Sequence, residues 1–503
     1  MGKDWFSVER LATLAKLPPG SAVHVIGVAG VAMAQMAVAL AERGFIVSGS
    51  DKEFYEPMAS FLRGSTVKLM HGYDAKNVPQ ICDLVVIGNA VSYGHPEVAV
   101  VEERGLAYTI FPKLLFDLAI AGKHSVVVSG THGKTTTTGM LACALRTLRV
   151  DPSFFVGGAV PGFSSGLNLG TGNISAVEGD EYDSSFFAKV PKFSFYRPDS
   201  LIINAIEFDH ADIYPNLAAI DAEFEKLVLQ MNSGTIYMCT DGAHERELFE
   251  RWKKLLNAHA NSANIVSFGT SDADVLVSSV AAGPKFQQVT ITRVKEQAQK
   301  IIFKIGAPGL HNAKNSAACA LVLRARGFSN LQIAEALESF AGVKRRQEVR
   351  FSSGTVTVID DFAHHPTAVR ETLAAIRQRF PTHKVIAVFE PRSATSRRKI
   401  FQAEYVKAFS TADEVLLCLP QARGGGDVEL LDVAELANNI RSEVGVEACA
   451  KPDANTILTA LTAASKSPAE AEQPRVILVM SNGGFGGLVQ GLVDFFNGKA
   501  NRI

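Results

Sequence analysis

The chain has 503 residues, which at about 100–200 residues per domain is enough for about three domains. Hydrophobic residues make up 47% and charged residues 20%, which excludes an intrinsically disordered chain. A formal net charge of −1 gives no global electrostatic basis for binding nucleic acid, and no apolar run is long enough to insert into a membrane. The six cysteines (Cys82, Cys143, Cys239, Cys319, Cys418, Cys449) lie far apart and form no C-x-x-C pair. This spacing argues against a cysteine zinc site or a disulfide framework and fits a reducing, cytoplasmic setting. The first residues are charged and polar, so no signal peptide is expected.

In chain order, residues 22–28 read as a buried strand, 31–44 as a helix stopped by Gly44, and 45–51 and 83–90 as further strands. This alternation predicts a parallel sheet with crossover helices, a Rossmann-like unit over residues 1–121. A second unit, residues 122–343, opens with a strand at 124–130, a glycine turn and a helix at 138–148. Strands follow at 175–180, 200–206 and 234–239. Residues 264–306 alternate apolar and polar side chains in short runs, which predicts an antiparallel patch appended to this central unit. A helix at 311–327 closes it. The third unit, residues 344–503, is again α/β, with strands at 356–361, 384–391, 413–420 and 475–482. Residues 465–474 read as a polar loop, and no short-period repeat is visible.

The strongest local motif is Gly130-Thr131-His132-Gly133-Lys134-Thr135-Thr136, between a strand and a helix. Backbone N–H groups at a helix start attract phosphate oxygens, Lys134 adds a point charge, and the Thr135 hydroxyl can ligate Mg²⁺. Val128 stands where a full Walker A sequence has its first glycine. Glu178, Asp180, Glu181 and Asp183 end one strand, and Asp209-His210 ends another. Ligands bind outside the C-terminal strand ends of parallel sheets, so these acids and this imidazole are candidates for holding Mg²⁺. Taken alone, such acidic turns are usually solvated loops, and the phosphate loop in the same unit turns the balance to the metal reading.

In the first unit, Gly27-Val28-Ala29-Gly30 approximates a dinucleotide turn, with Asp51 ending the next strand. A packing role for these glycines is the alternative. His311, Asn312 and Asn315 open a helix, where they suit a nucleotide base or a cap. Arg345 and Arg346 precede the third unit, and Asp360-Asp361 with His364-His365-Pro366 ends its first strand. Arginine beside a transferring phosphoryl group stabilises its spreading charge.

In this combination and order the motifs resemble the Mur ligase family, ATP-dependent amide-forming enzymes of peptidoglycan assembly. The resemblance covers nearly the whole chain. It implies a Rossmann-like UDP-sugar domain, a central P-loop ATPase domain and a C-terminal Rossmann-like α/β domain that binds peptide and closes over the others. Within the family, the run D-D-F-A-H-H-P-T and the first glycine turn resemble the UDP-N-acetylmuramate-binding branch. Residues 186–198 resemble an insertion of members that use the murein tripeptide L-alanyl-γ-D-glutamyl-meso-diaminopimelate, as do residues 207–214, 389–398 and 480–487.

Carried over residue by residue, the resemblance implies that Gly130, Thr131, His132, Gly133, Lys134, Thr135 and Thr136 cradle ATP phosphates. Thr135, Glu178 and His210 are its Mg²⁺ ligands, and His311, Asn312 and Asn315 lie by the adenine. Arg346 and Asp361 complete the ATP site, so Lys134, Glu178, His210, Arg346 and Asp361 form the catalytic set. Gly27, Gly30, Asp51, His71 and Asn89 lie where the family holds the UDP-sugar. Arg392, Arg397, Arg398, Ser481 and Asn482 are candidates for the peptide carboxylates. Ala29 and Ala32 replace glycines of the fuller family turn, and Gly179 replaces an alanine. The family asparagine before D-H stands one residue early, as Asn204 with Ala205 in its place, which predicts a side chain on the opposite strand face. Phe224 aligns with the carbamylated lysine of some relatives, so no carbamylated lysine is expected.

The reaction implied is phosphorylation of the lactyl carboxylate of UDP-N-acetylmuramate by ATP, then attack of the tripeptide amine on the acyl phosphate. A ligase adding L-alanine is the nearest alternative. A non-catalytic nucleotide-binding regulator is an alternative of another class. A dehydrogenase reading leaves the phosphate loop unexplained.

Overall fold

The computed structural model describes residues 5–259, 262–281, 286–294, 300–420, 429–464 and 473–500. The polar loop expected at 465–474 lies, but for its last two residues, outside the described residues.

The first unit is a five-stranded parallel sheet of β1 (Ala22–Ile26), β2 (Ile46–Asp51), β3 (Lys68–His71), β4 (Leu84–Ile87) and β5 (Tyr108–Ile110), in the order β3-β2-β1-β4-β5. The central strands β1 and β4 are buried on both faces because helices cover both sides, and His24 is the one polar residue in them. One of these helices, Val31–Glu42, is apolar nearly all round and largely buried.

The central unit is a ten-stranded sheet. Its strands are β6 (His124–Ser129), β7 (Ser153–Phe155), β8 (Leu167–Asn168), β9 (Ile174–Gly179), β10 (Ser200–Ile203), β11 (Thr235–Cys239), β12 (Asn264–Gly269), β13 (Val275–Ala281), β14 (Gln287–Arg293) and β15 (Lys300–Ile305). Their order is β15-β14-β13-β12-β11-β10-β6-β9-β7-β8. The antiparallel patch comprises β13, β14 and β15 only, each alternating buried and exposed residues. β12 was expected in that patch. It instead pairs in parallel with β11 and joins β13 through two residues, so the patch extends the main sheet.

The third unit has β16 (Glu348–Ser352), β17 (Val356–Asp361), β18 (Lys384–Phe389), β19 (Glu414–Cys418), β20 (Glu447–Lys451) and β21 (Arg475–Met480). Their order is β16-β17-β21-β18-β19-β20, parallel except for β16. The family-like segments after β6, β9, β10, β17, β18 and β21 all leave the C-terminal ends of parallel strands.

The units are packed together by side chains far apart in sequence. Phe186 and Phe187, in the segment between β9 and β10, meet Phe6 at ring-centroid distances of 5.5 and 5.7 Å. Tyr108 of β5 lies 5.6 Å from Phe187. Such aromatic contacts bury large apolar area. This segment therefore ties the central unit to the first.

A buried polar network fixes the first sheet. Glu97, inaccessible to solvent, accepts from Ser50 Oγ (2.5 Å) and Asn77 Nδ2 (3.0 Å), and lies 3.1 Å from His24 Nε2. Burial works to raise its pKa, but His24, Ser50 and Asn77 hold the carboxyl below the usual carboxylate range. The stability this group contributes is therefore full above its unfolded pKa of about 4.3 and is lost as pH falls through its lower folded value. Glu97→Ala leaves His24 Nε2, Ser50 Oγ and Asn77 Nδ2 without their shared acceptor in a buried site. It is expected to cost about 3–5 kcal/mol and to speed amide hydrogen exchange in β1 and β2, whereas unchanged exchange there would show the network to be dispensable.

Candidate active site

β6 ends in a glycine loop because the next helix, Lys134–Thr147, must start where the chain crosses the neighbouring strand end. Gly130 has φ +114°, and a Cβ there would lie 2.7 Å from the Ala205 carbonyl. Gly133 has φ +81°, and its Cβ would lie 2.7 Å from Asn204 Nδ2 and 2.9 Å from Asn315 Oδ1. Only glycine meets both conditions.

Lys134 folds back over this loop. Its Nζ donates to the Gly130 carbonyl (2.8 Å) and to Glu181 Oε2 (2.7 Å). Thr135 Oγ1 donates to Glu178 Oε2 (3.0 Å), and Glu178 Oε1 accepts from Gly157 N (2.5 Å). Glu178, Asp180 and Glu181 are all buried at the end of β9. Burial, reinforced by the charge of Asp180, pushes the Glu178 carboxyl up to about 7. For Asp180 burial acts the same way, but Lys192 and Lys134 hold it below its ordinary value. Glu181 is likewise held low against burial, by Lys134 and His210. His210, in a left-handed backbone conformation (φ +50°), places Nε2 3.2 Å from Glu181 Oε1. Thr135 and Glu178 are thus brought together, while His210 sits one carboxylate away, on Glu181.

Most of these groups, though not Gly130 or Glu181, line a cavity of about 1200 Å³ between the three units. The central unit contributes the loop 131–136, Glu178, Asp180, His210, His311, Asn312 and Asn315. The first unit contributes Val31, Ala32, Gln35, Pro57, Met58 and Phe61. The linker and third unit contribute Arg345, Arg346, Asp361, His364, the stretch 393–395 and Asn482. Arg346 lies 4.7 Å from the Phe362 ring centre. Asp361 accepts from Gln347 N and Ala363 N, both at 2.7 Å, and so joins the linker to the turn after β17. Burial pushes the Asp361 carboxyl up, and Arg346 opposes it. His311 Nε2 is 3.3 Å from Gln347 Nε2, and burial lowers its pKa.

Gly27, Gly30, Asp51, His71 and Asn89 lie on the first sheet's C-terminal side but do not line this cavity. Gly27 has φ +79°, and Gly30 caps helix Val31–Glu42. Asp51 braces the turn, accepting from Ala29 N (2.8 Å), Lys52 N (2.7 Å) and Tyr73 OH (3.0 Å). His71 is exposed beside Glu53 at 3.2 Å, and Asn89 is exposed. In the third unit the Arg392 guanidinium lies over Gly483, and Ser481 Oγ donates to Glu390. Arg397 Nε donates to Ser393 O at 3.3 Å, and Arg398 bridges to Leu430. These three arginines flank the cavity-lining stretch 393–395 without lining the cavity themselves.

The expectation for Asn204 is corrected. Its Nδ2 donates to Thr137 Oγ1 (3.0 Å) and lies over Gly133, so the side chain faces the loop. β10 ends at Ile203, and strand alternation does not govern the next residue. Sequence reasoning also missed Lys192, whose Nζ donates to Asp180 Oδ2 (3.0 Å) and Tyr182 OH (2.8 Å). Gln35 was missed too, although it is the one polar residue within residues 31–41. Its Oε1 is buried with no hydrogen-bond partner among the described residues. Phe224, at the position compared with a carbamylated lysine, is fully buried against Phe193 (5.3 Å).

Three family models match. They are the Mur ligase family catalytic domain over residues 22–122, the Mur ligase middle domain over 128–323, and the Mur ligase glutamate ligase domain over 345–483. The chain is 35% identical to the UDP-N-acetylmuramate–L-alanyl-γ-D-glutamyl-meso-2,6-diaminoheptandioate ligase of Escherichia coli, covering 95% of this chain and 99% of that one. A UDP-N-acetylmuramate–L-alanine ligase of Desulfosudis oleivorans is 31% identical, covering 84% and 88%. Among solved structures, a murein peptide ligase from Psychrobacter arcticus superposes with a TM-score of 0.67 at 28% identity, covering 95% of this chain and 98% of the other. With most of the cleft inside the three family models and a 35% identical relative matched over 95% of the chain, the chain belongs to the Mur ligase family of ATP-dependent amide-forming ligases.

Proposed function

We propose that this chain joins L-alanyl-γ-D-glutamyl-meso-diaminopimelate to UDP-N-acetylmuramate at the expense of ATP, in cytoplasmic peptidoglycan recycling. The observation that carries the reading is the single cavity in which Lys134, Thr135 and Glu178 face residues of both outer units. One cleft can then hold nucleotide, carboxylate and amine together. The whole-length relatives favour the tripeptide: those of Escherichia coli and Haemophilus influenzae cover 95% and 94% of this chain, against 84% for the alanine ligase of Desulfosudis oleivorans.

In this reading the units divide at 121/122 and 343/344. A carboxylate is a poor electrophile, and transfer of the γ-phosphoryl group to the lactyl carboxylate supplies the leaving group. The tripeptide α-amine attacks the acyl phosphate, and the tetrahedral adduct collapses to amide and phosphate. The chain acts by positioning and by screening charge. The loop 130–136 holds the phosphates, Lys134 the transferring group, and His311, Asn312 and Asn315 the adenine. Arg346 and Asp361 close the ATP site from the third unit. Gly27, Gly30, Asp51, His71 and Asn89 take the UDP-sugar, and Arg392, Arg397, Arg398, Ser481 and Asn482 the peptide carboxylates.

The residues present fit magnesium. Thr135 Oγ1 and Glu178 are hard oxygen donors, and a buried carboxylate pushed up to about 7 is one that a cation would keep ionised. Thr135, Glu178 and, from the Glu181 side, His210 would hold it. When bound, it neutralises charge on the phosphate oxygens.

Lys134→Ala is expected to reduce ADP formation by about 100-fold or more, measured with both carbohydrate and peptide substrates present; near-normal turnover would sink the assignment of the ATP site. Measured side by side, the tripeptide should support ADP formation at higher kcat/KM than free L-alanine. The reverse preference would assign the chain to the alanine-adding ligases instead.

A further inference from the structure

Two histidines and a glutamate converge where the third unit rests on the phosphate loop. His132 comes from the loop, Glu207 from the segment after β10, and His365 caps the helix Pro366–Arg379 of the third unit. Their donor atoms form a nearly equilateral triangle. His132 Nε2 lies 3.2 Å from His365 Nδ1 and 3.3 Å from Glu207 Oε2, and His365 Nδ1 lies 3.2 Å from Glu207 Oε2.

Hydrogen bonding does not account for all three edges. His365 Nδ1 accepts from the Thr367 backbone N–H at 3.4 Å, so this nitrogen carries a lone pair. Glu207 is held at about 2, against burial, chiefly by His132 and then His365, so its oxygens only accept. The His365–Glu207 edge therefore sets two acceptors side by side, with at most the one proton on His132 Nε2 between them. A cation inside the triangle satisfies all three donors at once.

The dimensions suit one class of ion. Bonds of about 2.0–2.1 Å at tetrahedral angles put neighbouring donors about 3.3–3.4 Å apart. Two imidazoles and one carboxylate are a zinc-type donor set, whereas magnesium takes oxygen ligands. The side chains of His365, His132 and Glu207 are 6%, 16% and 29% exposed, so an ion can enter from solvent. Asp209 and Glu371 add negative charge around His132, and His364 stands near Asp209.

We propose that His132, Glu207 and His365 form a binding site for a divalent transition-metal ion of the zinc type, separate from Thr135 and Glu178, whose occupancy staples the third unit to the phosphate loop. Two ligands belong to the central unit and one to the third, and solvent supplies the fourth position. The inference rests on the donor geometry and stands independently of the substrate assignment.

The test uses full-length protein stripped with a chelator and titrated with Zn²⁺ alone, without ATP or Mg²⁺, against a chromophoric competitor. Glu207→Gln and His365→Gln should each weaken the tightest zinc binding by more than about 10-fold, and His210→Gln should leave it unchanged. Equal affinity in wild type and both ligand variants, or loss in His210→Gln instead, would overturn the site. Because substitutions at a domain junction can disturb folding, zinc-edge anomalous diffraction from wild-type crystals provides a second reading. A peak within about 2.1 Å of His132 Nε2, His365 Nδ1 and Glu207 Oε2 supports the site. Density only at Glu178 and His210, at a cysteine, or nowhere contradicts it.

Discussion

Three carboxylates within four residues, Glu178, Asp180 and Glu181, are buried at the end of one strand, and the surrounding cleft is organised around their charge. Like charges at this spacing cannot all ionise in a low-dielectric site without cations. Lys134 answers Glu181, Lys192 answers Asp180, and His210 turns its imidazole to Glu181. Among the described residues, Glu178 has no such cationic side chain within hydrogen-bond reach. It relies on a hydroxyl and a backbone N–H, and its proton is correspondingly hard to remove. The imbalance leaves a place for positive charge beside the phosphate loop.

The same cluster explains why distant segments converge here. Lys134 can reach Glu181 only because the glycine loop turns tightly against the end of β10. Lys192 arrives on the segment between β9 and β10, and that segment's phenylalanines also clasp the first unit. That one segment therefore supplies a buried cation to the acids at the end of β9 and an aromatic contact to the first unit. The third unit is joined through Asp361, which grips the linker at Gln347, and through His365, which meets His132. Domain closure in such an enzyme keeps water from a reactive acyl phosphate.

Much of this was legible in the sequence, because the relevant signals are local. A glycine–lysine–threonine run between an apolar strand and a helix has one favoured geometry, and acids following a strand must lie at its C-terminal end. What lay beyond reach depends on contacts between distant residues. Nothing near Lys192 announces its pairing with Asp180, and nothing near Glu207 announces His365. Asn204 was misplaced for a definite reason: alternation was counted one residue past the last paired position of β10. β12 was misassigned because its short mixed run, Asn264–Gly269, carries no local signal for the direction of the strand it pairs with. Gln35 could have been found, as the lone polar residue in an otherwise apolar helical stretch.

The central claim is that the carboxylate is activated by phosphorylation before the amine attacks. Its most direct test is to carry out the reaction with UDP-N-acetylmuramate labelled with heavy oxygen in the lactyl carboxylate. An acyl-phosphate route transfers one labelled oxygen to inorganic phosphate in each turnover. Phosphate released without label, while amide forms at the normal rate, would contradict the account.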